Sequence, residues 1–509
     1  MIISLSVLVI TIIVSGTYAL YKTQLSKNIG VNTTTHGLAY YINYVKGTDI
    51  TAATLNPSTS YEGGASSDIE FWKKDDSYDI YGKIELTVNT IGTNLSNSPA
   101  LKYAVVNNGN VLKEGSLKGT TSGSKVTILK NLYLEQTKQI YTVYVWLDNS
   151  EELGNISNES LSISVDCTAS LQKEPTAADT IISLYTSAAK VTATNNSITY
   201  NTAPSVSLMN DRLGGTTTDL DGGNIRYYGA NPNNYIYFNC SDYSNQTSST
   251  CEVWRIIGVF DGKLKLIKSE SIGAYSWDNK DTSTGAESDT GKNDWTTARL
   301  MKLLNPSDYY VVDSNDNELG QSLYWNSASG KCYSGFQNAI VDCDFTSTGI
   351  KNDTTRNMIA DVIWNLGGSD TNKVYLNQMY EYERGTTVYT GRPTIWTGKI
   401  ALAYLSDYGY AVDLNECKDK ALYDYDSIPC ESYNWIKAIL GTSGFEWLLA
   451  VTYNDATGVG FVRSSGVPYN NGPAAGEQKV VPVLYLSSEL GIESGAGDGS
   501  SSNPYKLSI

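Results

Sequence analysis

The alternation of apolar and polar positions along the chain predicts a β-rich protein. Short stretches rich in Tyr, Val and Ile are separated by Asn, Gly, Asp and Ser, as strands are separated by turns. In the first third of the chain these stretches cover residues 81–88, 101–106, 125–129, 140–147 and 160–165. They predict an all-β sandwich, of jelly-roll or immunoglobulin-like type, over residues 21–170.

The second part of the chain has a mixed pattern. Two apolar runs within 251–267 flank Asp261-Gly262, which is a β-hairpin signature. Two predicted helices and a late predicted strand cover residues 293–304, 353–366 and 480–486. Long polar loops separate these elements. The combination predicts an α+β domain over residues 204–509.

Capping residues mark the predicted helix starts. Asn293 or Asp294 is the expected cap of the helix over 293–304. Between the two domains, residues 171–203 predict a helical linker. It contains an amphipathic helix over 177–190, which Asp179 helps to start.

The chain opens with an apolar run of about 20 residues, long enough for a helix that spans a membrane. Thr17 and Ala19 are also small residues at the spacing that a signal peptidase requires. Residues 1–20 therefore predict either a cleaved signal peptide or a transmembrane anchor. Both predict export by the general secretion route to the cell surface or the medium, and the anchor adds the membrane as a partner.

Charge and histidine content narrow the function classes. The net charge is −16, and no Lys/Arg cluster offers the basic face that phosphates require, so we expect no nucleic-acid partner. The one histidine, His36, lies in a turn-like stretch, and a single histidine excludes multi-His metal sites. Carboxylate pairs such as Glu381 and Glu383 arise by chance among 53 acidic residues, so we expect no enzyme.

Six of the seven cysteines form neighbouring pairs that enclose short polar loops, the pattern of local disulfides in an exported protein. The alternative is buried free thiols. The predicted pairs are Cys240 with Cys251, Cys332 with Cys343, and Cys417 with Cys430. Cys167 remains, as a free thiol or an intermolecular crosslink.

Two resemblances to known families refine these predictions. Ser15-Gly16-Thr17-Tyr18-Ala19, followed by a β-rich domain, resembles the exported matrix-fibre proteins of the camelysin/TasA type, which implies a Gram-positive surface protein with a jelly-roll domain. The second part resembles an uncharacterised domain of exported Gram-positive proteins, related to the C-type-lectin-like and formylglycine-generating-enzyme folds. Its marks are Trp254-Arg255-Ile256-Ile257-Gly258-Val259, Asn293-Asp294-Trp295, Ala298-Arg299-Leu300, Leu303, Asn305, Trp447 and Val481-Pro482-Val483-Leu484-Tyr485-Leu486.

The lectin-like resemblance implies a ligand-facing surface within residues 448–478, next to Trp447; the alternative is ordinary hairpin loops. Tyr, Asn and Asp there combine rigid aromatic anchors with adaptable polar groups. The candidate ligand-binding residues are Trp447, Tyr453, Asn454, Asp455, Arg463, Tyr469, Asn470 and Asn471. The tryptophans of this domain are core anchors or, alternatively, sugar platforms.

A calcium site is the one cofactor that the sequence suggests. Asp313, Asn315 and Asn317 place oxygen ligands at alternate positions, as a calcium loop begins, although a solvated turn has the same composition. The protein is thus predicted to be a secreted or surface binding and adhesion protein. Its partner would be an external glycan or protein. The alternative function is a structural subunit of an extracellular fibre, which self-associates.

Overall fold

The fold is given by a computed structural model. It describes residues 23–25, 41–51, 55–149, 151, 153, 155–156, 159–213, 222–243, 245–280, 283–312, 319–440 and 445–508. The chain forms two compact units, Met1–Glu174 (unit 1) and Pro175–Ser508 (unit 2). The predicted signal peptide or anchor at 1–20 and His36 lie outside the described residues. Among the helices that are described, none has the length and apolar character needed to cross a bilayer.

Unit 1 is built from strands and one described α-helix, α1 (Thr93–Asn97). The strands are β1 (Thr23–Leu25), β2 (Ile42–Val45), β3 (Ile50–Thr51), β4 (Pro57–Ser58), β5 (Ala65–Lys73), β6 (Tyr81–Ile91), β7 (Leu101–Asn107), β8 (Asn110–Ser116), β9 (Lys125–Tyr133), β10 (Ile140–Asp148) and β11 (Leu161–Ser170). The strands predicted from the alternating pattern are confirmed, most of them longer than predicted.

The described strands of unit 1 form two sheets that enclose one apolar core. One sheet has the order β1-β11-β6-β9, with β3 beside β11; the other has the order β2-β5-β10-β7-β8, with β4 parallel to β10. Alternate residues of β5 and β6 are buried, as expected for strands with one face on a core. A Cβ added to Gly82 of β6 would lie 2.4 Å from Phe71 Cε1 of β5, so the two sheets meet closely there. Unit 1 is therefore a β-sandwich.

Unit 2 combines more strands with several short helices. Its described helices are α2 (Ala177–Ser187), α3 (Arg299–Leu304), α4 (Asp353–Met358), α5 (Leu376–Glu383), α6 (Leu405–Tyr410), α7 (Ile428–Ser432) and α8 (Trp435–Leu440). Its described strands are β12 (Val191–Asn195), β13 (Ile198–Ala203), β14 (Leu208–Asn210), β15 (Ile225–Tyr227), β16 (Tyr235–Phe238), β17 (Glu252–Phe260), β18 (Lys263–Lys268), β19 (Ala274–Ser276), β20 (Ser329–Tyr333), β21 (Ile340–Asp344), β22 (Val362–Asn365), β23 (Ile395–Gly398), β24 (Ile400–Ala401), β25 (Phe445–Val451), β26 (Gly458–Arg463), β27 (Pro468–Pro473), β28 (Glu477–Lys479), β29 (Val483–Tyr485), β30 (Gly491–Ile492) and β31 (Leu507–Ser508).

Two larger sheets organise the described part of unit 2. The first has the order β12-β13-β14-β15-β17-β18-β29-β24, with β16 beside β17, and the second has the order β19-β28-β25-β26-β27. Strands β14, β15 and β17 are buried along nearly their whole length rather than at alternate positions. This large sheet is therefore covered on both faces, so charged residues within its strands, such as Arg226 and Lys265, are buried.

The predicted hairpin is confirmed as β17 and β18. Its turn residues Asp261 and Gly262 have φ of 48° and 71°, the left-handed conformation that a two-residue hairpin turn requires. The pairing has a bulge between Ile256 and Gly258. A Cβ on Gly258 would lie 2.2 Å from the carbonyl oxygen of Ile225, so β15 and β17 approach closely at this bulge.

The helix predicted over 293–304 is wrong in its first half. The helix begins at Arg299, and Asn293 is not its cap. The Asn293 carboxamide instead donates to the carbonyl oxygens of Thr452, Asp455 and Gly458. Asp294 forms a local turn with Thr296.

The second helix prediction, over 353–366, joined two elements. Helix α4 ends at Met358, and residues Val362–Asn365 form strand β22, which pairs with β23. Trp364 lies opposite Trp396 in this pairing. The strand depends on a partner more than thirty residues away, and short windows of sequence do not contain that information.

The segment predicted as a linker, 171–203, is largely part of unit 2. Helix α2 has a capping box in which Thr176 and Asp179 exchange side-chain and backbone hydrogen bonds, as the role of Asp179 in the predicted helix start implies. Its buried residues, Ile181 and Tyr185 among them, belong to the unit 2 core. Strands β12 and β13 then join the large sheet.

The three predicted disulfides are confirmed. Their Cα separations all lie inside the limit of about 7 Å for a disulfide. The bridges are Cys240 to Cys251 at 3.8 Å, Cys332 to Cys343 at 5.9 Å and Cys417 to Cys430 at 4.6 Å. The alternative of six free thiols is therefore wrong, and three disulfides indicate an oxidising, extracellular environment.

Two of the confirmed bridges are anchored at strands. Cys251 immediately precedes strand β17 and is buried. Cys343 lies within strand β21, opposite Gly330, and it bridges to Cys332 of the paired strand β20. This second bridge therefore joins two strands of one hairpin, a pairing that the loop composition alone does not reveal.

The remaining cysteine, Cys167, is unpaired and buried in the unit 1 core. Burial raises the pKa of its thiol well above the usual value. A crosslink between molecules is therefore not supported, because the sulfur is out of reach of a partner.

Candidate functional site

A cavity of about 540 Å³ lies at the surface of unit 2. Its walls come from α2, the β17–β18 turn, β22, the end of α5 and β29, so distant parts of the chain build it. The apolar part of the wall includes Ile182, Ile225, Val259, Phe260 and Ile363. The polar part includes Lys263, Asn365, Tyr380, Arg384 and Tyr404. We call this cavity the Arg384 pocket.

Arg384 follows the last residue of α5 and is held in place by aromatic rings. Its Cζ lies 3.5 Å from the centroid of the Tyr380 ring and 5.0 Å from that of Tyr404. Its Nη1 donates to Oε2 of Glu383 at 3.2 Å. The side chain is 22% exposed, so the guanidinium is both fixed and accessible. Fixed, partly desolvated guanidinium groups bind planar anions well.

Glu383 is a fully buried carboxylate behind the pocket wall. It accepts hydrogen bonds from the backbone N–H of Ser406 at 2.8 Å and from its hydroxyl at 2.5 Å. Burial raises the pKa of Glu383, although Arg384 and Ser406 act in the opposite direction. These contacts orient the carboxylate toward α6. Glu383 in turn helps to position Arg384 by accepting its hydrogen bond.

A buried charge network lies next to the pocket, formed by Arg226, Lys265, Asp211 and Asp407. Arg226 Nε donates to Asp211 at 2.5 Å, and its Nη1 donates to Asp407 at 2.9 Å. Lys265 Nζ donates to the other oxygen of Asp407. All four side chains are at most 1% exposed, so water does not replace any of these ion-pair contacts.

Aromatic rings surround the Lys265 ammonium. Its Nζ lies 4.3 Å from the ring centroid of Tyr404 and between 5.3 and 5.5 Å from those of Phe260, Trp364 and Tyr485. Phe260, Tyr404 and Tyr485 also line the pocket, so the network and the cavity share walls.

The pKa values of Lys265 and Asp407 are both below their usual values, but for different reasons. Burial lowers the pKa of Lys265 to about 8, although Asp407 raises it. Burial also raises the pKa of Asp407, but Lys265 and Arg226 outweigh this and hold it below the usual value. Asp407 is thus the charged centre of the network, which fixes the pocket walls through two cations.

The sequence-predicted ligand residues lie elsewhere in unit 2, on β25–β27 and their loops. Trp447 is fully buried and its Nε1 donates to the Tyr275 carbonyl, so it cannot contact a ligand. Asn470 is 8% exposed and its Nδ2 donates to the Ser369 carbonyl at 3.1 Å. These two assignments are wrong because both side chains pack inside the fold. Asn454 and Asn471 are exposed.

The remaining predicted residues already have partners within the protein. Arg463 Cζ lies 3.5 Å from the ring centroid of Tyr469, and that ring stacks on Phe461. Tyr453 donates its hydroxyl hydrogen to Asp370 at 2.8 Å. Asp455 accepts hydrogen bonds from the backbone and hydroxyl of Thr457. The structure brings Arg463 and Tyr469 together but places none of the predicted residues in the Arg384 pocket.

The disulfide cysteines have a structural role and do not belong to the pocket. All six sulfur-bearing residues are buried, at most 7% exposed, and none of them lines the cavity. They are Cys240, Cys251, Cys332, Cys343, Cys417 and Cys430.

The tryptophans of unit 2 are core anchors, as the first of the two interpretations predicts. Each of them is at most 7% exposed: Trp254, Trp277, Trp295, Trp325, Trp364, Trp396, Trp435 and Trp447. The candidate calcium ligands Asp313, Asn315 and Asn317 lie outside the described residues. Across the described ranges, no group of three or more His, Cys, Asp or Glu side chains is arranged to hold a metal ion.

The Arg384 pocket was not predicted from the sequence. The buried charge network beside it has one local signal, a charge inside an apolar strand, as in Ile225-Arg226-Tyr227 and Leu264-Lys265-Leu266. In a sheet with one wet face such charges point to water. Here the sheet is covered on both faces, so they point into the protein.

Comparison with known proteins adds little. No family model and no curated protein matches the chain. Among solved structures, the chain is similar to the botulinum neurotoxin serotype D binding domain at 11% identity, over 50% of this chain and 75% of that one, with a TM-score of 0.15. The chain is also similar to the receptor binding domain of botulinum neurotoxin mosaic serotype C/D at 11% identity, over 50% of this chain and 74% of that one, with a TM-score of 0.15. With scores this low, the similarity supports no conclusion about fold or function.

Proposed function

We propose that the protein is an exported, surface-presented or secreted recognition protein whose unit 2 binds an external ligand in the Arg384 pocket. The observation that supports this is the accessible guanidinium of Arg384 in a cavity of about 540 Å³ with mixed apolar and polar walls. Cavities of this size with few fixed polar groups are typical ligand sites. Adhesion is the biological role we assign to it, and a C-type-lectin-like architecture of unit 2 is part of the proposal.

The Glu381 and Glu383 pair does not support hydrolysis at the Arg384 pocket. Glu381 is exposed, whereas Glu383 is buried and hydrogen-bonded to Ser406. A glycosidase needs two carboxylates that face the same bond from opposite sides. Glu381 and Glu383 do not share a cavity, because only residues such as Tyr380 and Arg384 of this segment line the pocket.

Two matched variants test the proposal. Arg384 and Arg463 each place Cζ 3.5 Å from a tyrosine ring centroid, one in the pocket and one on the sequence-predicted surface. In a glycan and peptide array with the full chain, we expect Arg384→Gln to abolish binding and Arg463→Gln to preserve it. The reverse result would contradict the pocket and favour the predicted surface of β26 and β27.

A second candidate is the fibre subunit, and the observation that favours it is strand β1. Thr23–Leu25 pairs with Cys167–Ala169 at the edge of a unit 1 sheet. A short edge strand of this kind can be supplied by another copy. Electron microscopy of the purified chain without ligand tests it: filaments support the fibre, and a persistent monodisperse particle argues against it.

A further inference from the structure

The guanidinium of Arg384 has donors that the fold does not use. A guanidinium carries five N–H donors in one plane. Within the described part of the chain, the Arg384 guanidinium makes one hydrogen bond, from Nη1 to Glu383. Tyr380 covers a face of the plane at 3.5 Å, so the remaining donors lie along its edge. The edge is the direction from which a planar acceptor with two oxygens binds.

Glu383 does not saturate this group. Its two oxygens accept hydrogen bonds from the N–H and the hydroxyl of Ser406. Its contact with Arg384 is a single atom pair at 3.2 Å rather than two parallel hydrogen bonds. The geometry that gives Arg–carboxylate pairs their strength is therefore still open to a ligand.

The other acidic groups near the cavity have cationic partners or lie at its rim. Asp211 and Asp407 pair with Arg226, and Asp407 also pairs with Lys265. Asp361, at the rim, accepts a hydrogen bond from Lys399 at 3.2 Å.

The cavity wall itself carries a second cation beside Arg384. Lys263 is the first residue of β18, directly after the β17–β18 turn, and it lines the pocket. Asp261 on the same turn is exposed to water, so it neutralises Lys263 weakly. Two cations, Lys263 and Arg384, and two carboxylates, Asp261 and Asp361, line the pocket. Both carboxylates are exposed to water, whereas Arg384 is only 22% exposed, so the partly desolvated guanidinium rather than the net charge of the wall favours an anionic ligand.

We propose that the Arg384 pocket selects an acidic saccharide, recognised by a carboxylate that makes two parallel hydrogen bonds to the Arg384 guanidinium. This inference rests on the proposed function and names its ligand class. The rings of Phe260, Tyr380 and Tyr404 and the carboxamide of Asn365 supply the apolar faces and polar contacts that a hydroxylated ring needs. A cavity of about 540 Å³ has room for more than one sugar unit.

Calorimetric titration of the full chain tests the inference with two matched probes, a disaccharide that ends in glucuronic acid and its glucose-ended counterpart. We expect the acid to bind at least about tenfold more tightly, because a hydrogen bond to a charged group is at stake. Arg384→Lys keeps the charge but loses the fork, so we expect it to weaken binding of the acid by about tenfold and to leave the neutral sugar unchanged.

The outcomes separate the two proposals. Equal binding of both sugars would overturn the carboxylate inference and leave the pocket as a ligand site. Binding of neither would overturn both. If wild type and Arg384→Lys bind the glucuronic-acid disaccharide equally well, the two parallel hydrogen bonds from Arg384 to the carboxylate are ruled out. The comparison of the two sugars on the wild-type chain needs no variant, so it decides even where Arg384→Lys does not fold.

Discussion

Unit 1 and unit 2 treat buried charge in different ways. Among the described residues, unit 1 buries one charged side chain, Lys73, and its partner Asp76 remains exposed. Unit 2 buries both partners of its ion pairs around Asp407. A half-exposed pair keeps most of its hydration, whereas a buried pair depends on every member because a lone buried charge is costly. We therefore expect unit 1 to tolerate the loss of a charged side chain better than unit 2, where the buried ion pairs lie beside the cavity.

The largest expected effect is on the buried charge network. Asp407→Asn leaves Lys265 as an uncompensated buried cation and leaves Arg226 with Asp211 alone, so we expect the free energy of unfolding of unit 2 to fall by about 3–5 kcal/mol. Hydrogen-exchange mass spectrometry reports the two units separately, and unit 1 peptides should not change.

Asp361→Asn is the control for that variant. Asp361 is 52% exposed at the pocket rim, so we expect a change below about 0.5 kcal/mol. A loss as small for Asp407→Asn would show that the network is hydrated, and the contrast between the units would disappear.

The second prediction concerns the disulfides, which the described structure places in unit 2 alone. Removal of the Cys417–Cys430 bridge by a double Cys→Ala substitution should cost unit 2 about 3 kcal/mol, from the closure of a short loop. Denaturant unfolding with and without reductant measures the loss. Cys167→Ala is the matched control in unit 1. It should leave the effect of reductant unchanged, because this thiol is in no bridge, and an altered response would contradict the pairing.

The third prediction is a pH dependence of unit 2. Burial raises the pKa of Asp278 from 3.8 to about 7, against backbone hydrogen bonds from Lys292 and Arg299. The native state therefore holds a proton that the unfolded chain has lost. This stabilisation is complete below pH 3.8 and is lost as the pH rises to about 7, with a slope near 1.4 kcal/mol per unit. Asp278→Asn should remove that slope from unit 2, and an unchanged slope would reject the assignment.

The smallest prediction tests where unit 2 begins. Thr176→Ala removes half of the capping box of α2 and should destabilise the helix by about 1 kcal/mol. If α2 belongs to unit 2, exchange protection falls across unit 2 peptides. A loss confined to residues 177–187 would instead restore the interpretation of this segment as an independent linker. Thr186→Ala, near the end of the same helix, is the control for helix composition.

Local signals in the sequence predicted local structure well. Asp261-Gly262 located the β17–β18 hairpin because a turn of positive φ is written in two residues. The cysteine spacing predicted the disulfides because the two cysteines of each bridge are only 11 or 13 residues apart in the chain. The prediction of a helix over 353–366 was wrong because Trp364 belongs to a strand, and the residue opposite it in the partner strand is Trp396. Such pairing energy is absent from any short window.

The candidate site was harder to predict than the fold. Arg226, Lys265 and Asp407 come from three distant segments, and their contacts exist only once the large sheet is covered on both faces. Arg384 stands beside Glu383, which the sequence marked only as one of many acidic residues. A sequence can show that a charge lies in an apolar strand, but not which opposite charge meets it.

The disulfides have a further consequence for a protein exposed to proteases. Each bridge joins cysteines that are 11 or 13 residues apart in the chain. A cut between the two cysteines leaves both fragments covalently joined, so the nicked chain still migrates at its full size on a denaturing gel until a reducing agent is added. A protease can thus cut these segments without releasing either part of unit 2.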